Sequence, residues 1–166
     1  MQSKDAIDQG TKTTKAPRAE ERSGVAVLVL SHGGLASELL DSACKIVARD
    51  LETEGYKALT LDWQDGIQEG ISKLTQTLAE LSDHDGILIL TDIRGGTPYN
   101  VATRFQEPGQ VAVLSGVNLP MVVRLGCHGR PTMPVDELVH WLRDKSRSSI
   151  SIGTRPCEAP NPCEDS

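Results

Sequence analysis

The chain has 166 residues, a formal net charge of −6 at pH 7 and only 3% aromatic residues, and its length corresponds to about one domain. An acidic balance without a basic stripe argues against nucleic acid as a partner, and the scarcity of aromatic side chains argues against a base-stacking surface. The N-terminus lacks the apolar core of a secretory signal, and no apolar run reaches the roughly 18 residues that a membrane span needs. These features predict a cytoplasmic protein.

The composition divides the chain into three parts. Residues 1–23 are polar and mix both charges without periodicity, and residues 154–166 are rich in proline and acidic residues. Residues 1–23 are therefore predicted to be a disordered arm, and residues 154–166 a disordered tail. Residues 24–153 are predicted to form one compact domain.

Strand and helix patterns alternate along this domain. Four apolar runs predict strands, at 25–30, 57–61, 86–90 and 111–114. Apolar residues at helical spacing predict helices at about 35–49, 67–81, 97–105, 118–125 and 135–142. The alternation predicts an α/β fold with an open, mostly parallel four-stranded sheet and helices on both faces. The run SSISIG at 148–153 is predicted to add a final edge strand.

Polar, glycine-rich stretches follow three of the predicted strands. They are SHGG at 31–34, TDIRGGTPYN at 91–100 and SGVNLPM at 115–121. In parallel sheets, ligands collect at the carboxyl ends of the strands, where the strand order reverses. A helix is expected directly after each stretch, so free N–H groups and positive helix ends would converge on one pocket. Such a pocket suits an anion such as phosphate.

His32 and Asp92 are the candidate catalytic pair, because each follows an apolar run that is expected to be a neighbouring strand. A carboxylate that accepts a hydrogen bond from one imidazole nitrogen fixes the tautomer and leaves the other nitrogen as a nucleophile. Ser31 is adjacent in sequence, but neighbours on a strand point to opposite faces. The histidine itself is therefore the predicted nucleophile. Asp92 also has a plainer interpretation as a helix N-cap.

The motifs do not favour a nucleotide-binding site or a metal site. The chain has neither a G-x-x-x-x-G-K phosphate loop nor a G-x-G-x-x-G fingerprint, so a phosphoryl group carried covalently on His32 is favoured over a bound nucleotide. GCHGR at 126–130 sets a cysteine beside a histidine but lacks the ligand spacing of a zinc site. No cofactor and no metal are predicted.

At these motifs the sequence resembles the mannose-family IIA domain of the bacterial phosphoenolpyruvate-dependent sugar phosphotransferase system. SHGGLASELL is similar to the family's SHG-x-LA segment, TDIRGGTPYN to its TD-x-x-GGTPFN segment, and SGVNLPM to its GVNLPM segment. The three motifs stand in the family's order, and the resemblance covers about residues 24–153.

The resemblance implies a role for each motif residue. His32 would accept a phosphoryl group from phospho-HPr and pass it to a IIB domain on a separate chain, with Asp92 hydrogen-bonded to it. The expected phosphate-binding residues are Gly33, Gly34, Arg94, Gly95, Gly96 and Thr97. The family also implies a homodimer that exchanges a C-terminal antiparallel strand, here SSISIG, and contact with the membrane only through IIC and IID components.

Three alternatives stay open. Arg94 lies where the family usually has an apolar or aromatic residue, and no IIB domain follows, which favours an orphan regulatory protein whose phosphorylation state a partner reads. A related domain that feeds dihydroxyacetone kinase is disfavoured by the intact GVNLPM segment. A flavodoxin-like redox module would need flavin-stacking aromatic residues near the strand ends, where only Trp63 and Tyr99 are available.

Overall fold

The computed structural model describes residues 23–153, and its centre is a four-stranded sheet. The strands are β1 (Val25–His32), β2 (Tyr56–Leu61), β3 (Gly86–Thr91) and β4 (Val111–Ser115). They lie in the order β2-β1-β3-β4, and each neighbouring pair is parallel. The predicted α/β class is confirmed, with the more polar β2 at one edge.

Helices cover both faces of the sheet. They are α1 (Leu35–Val47), α2 (Ile67–Glu80), α3 (Thr97–Ala102), α4 (Leu119–Cys127) and α5 (Val135–Arg147). The predicted helix at 97–105 is shorter than expected, because its last turn tightens into a 3-10 helix, Thr103–Phe105. Within residues 23–153, none of the helices is both long and apolar enough to cross a membrane.

The central strand β1 supplies both cores by simple alternation. Val25, Val27 and Val29 pack on the side of α1, α4 and α5. Ala26, Leu28 and Leu30 pack on the side of α2 and α3. All six side chains are buried, and burial of each larger one contributes about 1.5–3 kcal/mol. The same alternation assigns the next two residues, Ser31 and His32, to opposite faces.

The strand order reverses between β1 and β3. From β1 the chain goes to β2 on one side, and it then crosses to β3 on the other side. In the register of this pair, Leu30 lies beside Thr91. The end of β1 at His32 and the first residue after β3, Asp92, therefore lie at the same edge of the sheet, at the place where open α/β sheets bind ligands.

The edge strand predicted at 148–153 is absent from the described chain. Helix α5 continues to Arg147, and residues 150–153 have no regular structure. Ile150 and Ile152 are 83% and 92% exposed. A strand that pairs only with a second copy has no partner in a single chain, so the exchange stays a prediction. The predicted tail at 154–166, and the predicted arm apart from Ser23, lie outside the described residues.

Candidate active site

His32 and Asp92 meet at the carboxyl end of the sheet. His32 is the last residue of β1, and Asp92 directly follows β3. Nδ1 of His32 lies 2.7 Å from Oδ2 of Asp92, and the backbone amide of His32 donates to the same oxygen at 2.9 Å. The imidazole is thus held at Nδ1, and its side chain keeps 18% exposure to solvent.

Asp92 is held as a carboxylate by its hydrogen bonds. Burial opposes its ionisation, but donation from the His32 amide, the His32 ring and the Ile93 amide more than offsets this, so the pKa of Asp92 lies below its usual range. Oδ1 accepts from the Ile93 amide at 2.8 Å. Asp92 does not cap α3, since the N-cap of that helix is Gly96. The charge of Asp92 is therefore directed at the histidine.

Ser31 serves the opposite face of the sheet. Its buried hydroxyl accepts from the backbone amide of Ala36 in the first turn of α1, at 2.7 Å. This bond satisfies one of the amides that a helix leaves without an internal partner. Ser31 therefore anchors α1 and does not take part in the histidine pair, as the alternation predicts.

Trp63 covers one face of the His32 ring, a contact that the sequence pattern did not reveal. The ring centroids are 5.1 Å apart and the planes differ by 13°. Trp63 lies in the loop between β2 and α2 and is 82% exposed. The sequence predicts only that Trp63 lies near the strand ends. It does not predict the contact with His32, because no periodicity links residue 63 to residue 32.

The glycines of the two loops have different roles. A Cβ built on Gly96 would lie 2.8 Å from Cε1 of His32, so a larger residue there would displace the ring, whereas a Cβ on Gly34 or Gly95 would meet no atom within 4 Å. The amide of Gly33 donates to the Leu61 carbonyl at 3.1 Å, and the amide of Gly96 donates to the Ile93 carbonyl at 3.3 Å. These two amides shape the loops, and phosphate binding by Gly33, Gly34, Gly95 and Gly96 stays a prediction.

Thr97 and Arg94 flank the glycine pair on the second loop. Thr97 is the first residue of α3, and its amide lies in the turn where a helix supplies no acceptor. Arg94 is exposed and pairs with no acidic side chain among residues 23–153. The Asn100 side chain donates to the Gly95 carbonyl at 2.9 Å and secures this loop.

The third motif, SGVNLPM, braces the end of β3. The amides of Gly116 and Val117 donate to the Thr91 carbonyl at 2.8 and 3.0 Å. Asn118 caps α4 by accepting from the Met121 amide at 3.0 Å. The motif therefore holds the residue just before Asp92. Within residues 23–153, no three histidine, cysteine or acidic side chains are grouped so that they could hold a metal ion.

Comparison with known proteins gives a consistent set of relatives. Residues 26–141 match the family model EIIA-man, described as "PTS system fructose IIA component". The mannose-specific EIIAB component of the Escherichia coli (strain K12) phosphotransferase system is 29% identical over 142 residues, covering 83% of this chain and 42% of that protein. The chain thus spans less than half the length of this relative. The fructose-specific EIIA component of Bacillus subtilis (strain 168) is 29% identical over 129 residues, covering 77% of this chain and 86% of that protein.

Solved structures give the same result for the fold. The mannose/sorbose-specific IIA subunit of the phosphotransferase system from Enterococcus faecalis superposes with a TM-score of 0.70 at 29% identity, covering 82% of this chain and 99% of that one. A IIA protein associated with the fucose utilization operon of Streptococcus pneumoniae superposes with a TM-score of 0.62 at 29% identity, covering 74% and 90% of the two chains.

Proposed function

Since this chain belongs to the EIIA-man family of phosphotransferase-system IIA components, we propose that it is a phosphocarrier that bears its phosphoryl group on Nε2 of His32. The contact at Nδ1 is the observation that carries this proposal. With Nδ1 bound to Asp92 at 2.7 Å, the neutral ring keeps its proton on Nδ1 and its lone pair on Nε2. Nε2 is then the nucleophilic nitrogen.

The transfer step balances without a proton leaving the ring. The lone pair on Nε2 of His32 attacks the phosphorus of a donor phosphohistidine in line, and a new N–P bond forms. The donor N–P bond breaks, and its electron pair returns to the donor nitrogen. His32 keeps its Nδ1 proton, so its ring gains positive charge as the bond forms. Asp92 stabilises that charge through the short hydrogen bond.

The phosphoryl oxygens have candidate donors on the loop beside Asp92. The first-turn amide and the hydroxyl of Thr97 lie on this loop, and Arg94 is the exposed cation next to it. Gly34 and Gly95, on the loops that follow His32 and Asp92, leave open space, because a Cβ on either would meet no atom within 4 Å beyond its chain neighbours. In this proposal these residues admit and neutralise the phosphoryl group.

The partners follow from the family. Phospho-HPr is the proposed donor and a IIB domain is the proposed acceptor, so contact with the membrane would be indirect, through IIC and IID components. We place it in the cytoplasm, where these exchanges occur, as a homodimer whose segment 148–153 pairs with a second copy. The alternative role, regulation by a partner that reads the phosphorylation state, uses the same histidine.

The test is phosphoryl transfer from labelled phosphoenolpyruvate through enzyme I and HPr. Wild type should acquire label that is labile in acid and stable in base, and His32→Gln should acquire none. His140→Gln is the matched control, because His140 is exposed on α5 and lies outside the site. Nitrogen-15 spectra of the labelled protein should show phosphorus on Nε2. Label on His32→Gln, or phosphorus on Nδ1, would contradict the proposal.

A second measurement separates transport from regulation. Labelled wild type is mixed with candidate IIB domains, and loss of label to a IIB domain supports the carrier role. Retained label, together with a protein partner that binds only one phosphorylation state, would support the regulatory role.

A further inference from the structure

Trp63 combines high exposure with a defined contact. Its side chain is 82% exposed, yet its indole lies nearly parallel to the His32 imidazole, at 13° with centroids 5.1 Å apart. Parallel rings at this separation are offset-stacked, an arrangement that aromatic pairs prefer. Trp63 buries little area of its own. Its position is therefore set by its loop and by the stacking contact with the His32 ring.

The loop that carries Trp63 is a turn closed by hydrogen bonds. The amide of Asp62 donates to Oδ2 of Asp65 at 2.7 Å, and the amide of Asp65 donates to the Asp62 carbonyl at 2.9 Å. Nζ of Lys73 on α2 donates to the same carboxylate oxygen at 2.7 Å. The turn is therefore closed on both sides of Trp63 and tied to a helix.

The His32 ring is consequently enclosed on three sides. Asp92 binds Nδ1, Gly96 lies against Cε1, and Trp63 covers one face. A Cβ built on Gly33 would lie 3.5 Å from Nε1 of Trp63, so the indole also rests against the backbone just after His32. These contacts fix the ring plane and the tautomer.

We propose that Trp63 is a positioning residue that holds the plane of the His32 imidazole and stabilises the ring when it is positively charged. The face of an indole attracts cations. The His32 ring is cationic in two states, when Nε2 is protonated and, on the proposed function, when Nε2 bears a phosphoryl group while Nδ1 keeps its proton. The inference thus rests on the proposed function only for the second state.

The expected size follows from the exposure of the pair. An exposed cation–π contact shifts an equilibrium by about two- to fivefold. Trp63→Ala should therefore weaken proton binding by His32 by that factor, and should lower its phosphorylated fraction at equilibrium with phospho-HPr by a similar factor. Trp63→Phe should restore part of both effects, because phenylalanine keeps a weaker aromatic face. Asp92 is the charged group that contacts the ring, and it is intact in both variants.

The first experiment follows the His32 ring nitrogens by nitrogen-15 NMR across pH in wild type, Trp63→Ala and Trp63→Phe. The order wild type, Phe, Ala in proton affinity supports the proposal. Identical titrations in all three proteins would overturn it. This titration needs no phosphoryl donor, so its result holds even if His32 proves not to be phosphorylated. A failure to phosphorylate His32 would contradict only the proposed function.

The second experiment uses the fluorescence of Trp63 itself. The chain has two tryptophans, so Trp141→Phe leaves Trp63 as the single indole. Its emission should be quenched as His32 takes up a proton, with the midpoint found by NMR, and His32→Gln in the same background should abolish that step. Trp63 emission that is independent of pH, or that changes equally in the His32→Gln variant, would show that Trp63 and His32 do not stack in solution. Either result would overturn the proposal.

Discussion

Gly96→Ala tests whether the placement of the His32 ring controls phosphoryl transfer. The new Cβ would lie 2.8 Å from Cε1 of His32 and 3.0 Å from Cγ2 of Ile93. Contacting carbons lie about 3.5–4.0 Å apart, so the ring must retreat by about 0.7 Å. Gly96 itself has little freedom to move, because its carbonyl accepts from the Asn100 backbone amide at 2.9 Å and its amide donates to the Ile93 carbonyl. Its φ is −72°, so alanine adds no backbone strain there.

The retreat of the ring sets the expected magnitude. The hydrogen bond between His32 and Asp92 is 2.7 Å long, and a displacement of about 0.7 Å takes it beyond the usual range. A hydrogen bond to a charged group contributes about 1.5–3 kcal/mol, which corresponds to about a ten- to 150-fold slower transfer if the bond strengthens in the transition state. The free energy of unfolding should change less, since the ring can swing toward solvent.

Gly66→Ala is the matched control for this prediction, because Gly66 lies outside the site. Gly66 is the N-cap of α2 with φ −76°, and a Cβ there meets no atom within 4 Å beyond its chain neighbours. Both variants carry the modest cost of alanine at an N-cap. Rapid-quench labelling by phospho-HPr gives the transfer rate, and urea denaturation gives the unfolding free energy. Equal transfer rates for the two variants would refute the reasoning.

Two further predictions concern the neighbours of His32. Hydrogen bonds hold the pKa of Asp92 below its unperturbed 3.8, so its contribution to stability is present above that value and lost as pH falls through the lowered pKa. Denaturation curves of wild type and Asp92→Asn should therefore differ at pH 7 and converge in acid, and a constant difference would contradict this. Ser31→Ala leaves the Ala36 amide without its acceptor and should lower the unfolding free energy by about 1–3 kcal/mol. Labelling of His32 should persist in Ser31→Ala, and its loss would assign Ser31 a chemical role.

The main features of the fold were predictable because each depends on local periodicity. The run VAVLVL forms the central strand, and the strand-end rule brings Asp92 to His32 across 60 residues. The segment 148–153 forms no strand in the single described chain, because alternation identifies a sequence that can pair but not the strand that it pairs with, and its exchange with a second copy stays a prediction. In the described chain its two isoleucines are exposed.

The parts of the site that escaped prediction depend on loop geometry. Trp63 reaches His32 only because Asp65 closes a turn and Lys73 ties that turn to α2. The amide of Gly33 donates to the Leu61 carbonyl at the end of β2, and the amide of Gly96 donates to the Ile93 carbonyl on its own loop, and the motif spacing predicts neither bond. Motif spacing identifies which loops meet, whereas the donors that stay open depend on the torsion angles of each loop.

The end of β1 is anchored on both sides of the sheet, through Ser31 to α1 and through His32 to Asp92. On the proposed function, His32 is therefore fixed at the end of the sheet, and the donor and acceptor proteins must both dock there. Both would use the one exposed edge of the ring, so they would occupy the same surface in turn and exclude each other. Steady-state transfer should follow ping-pong kinetics, and an excess of unphosphorylated acceptor should slow the reaction by blocking the docking of the donor.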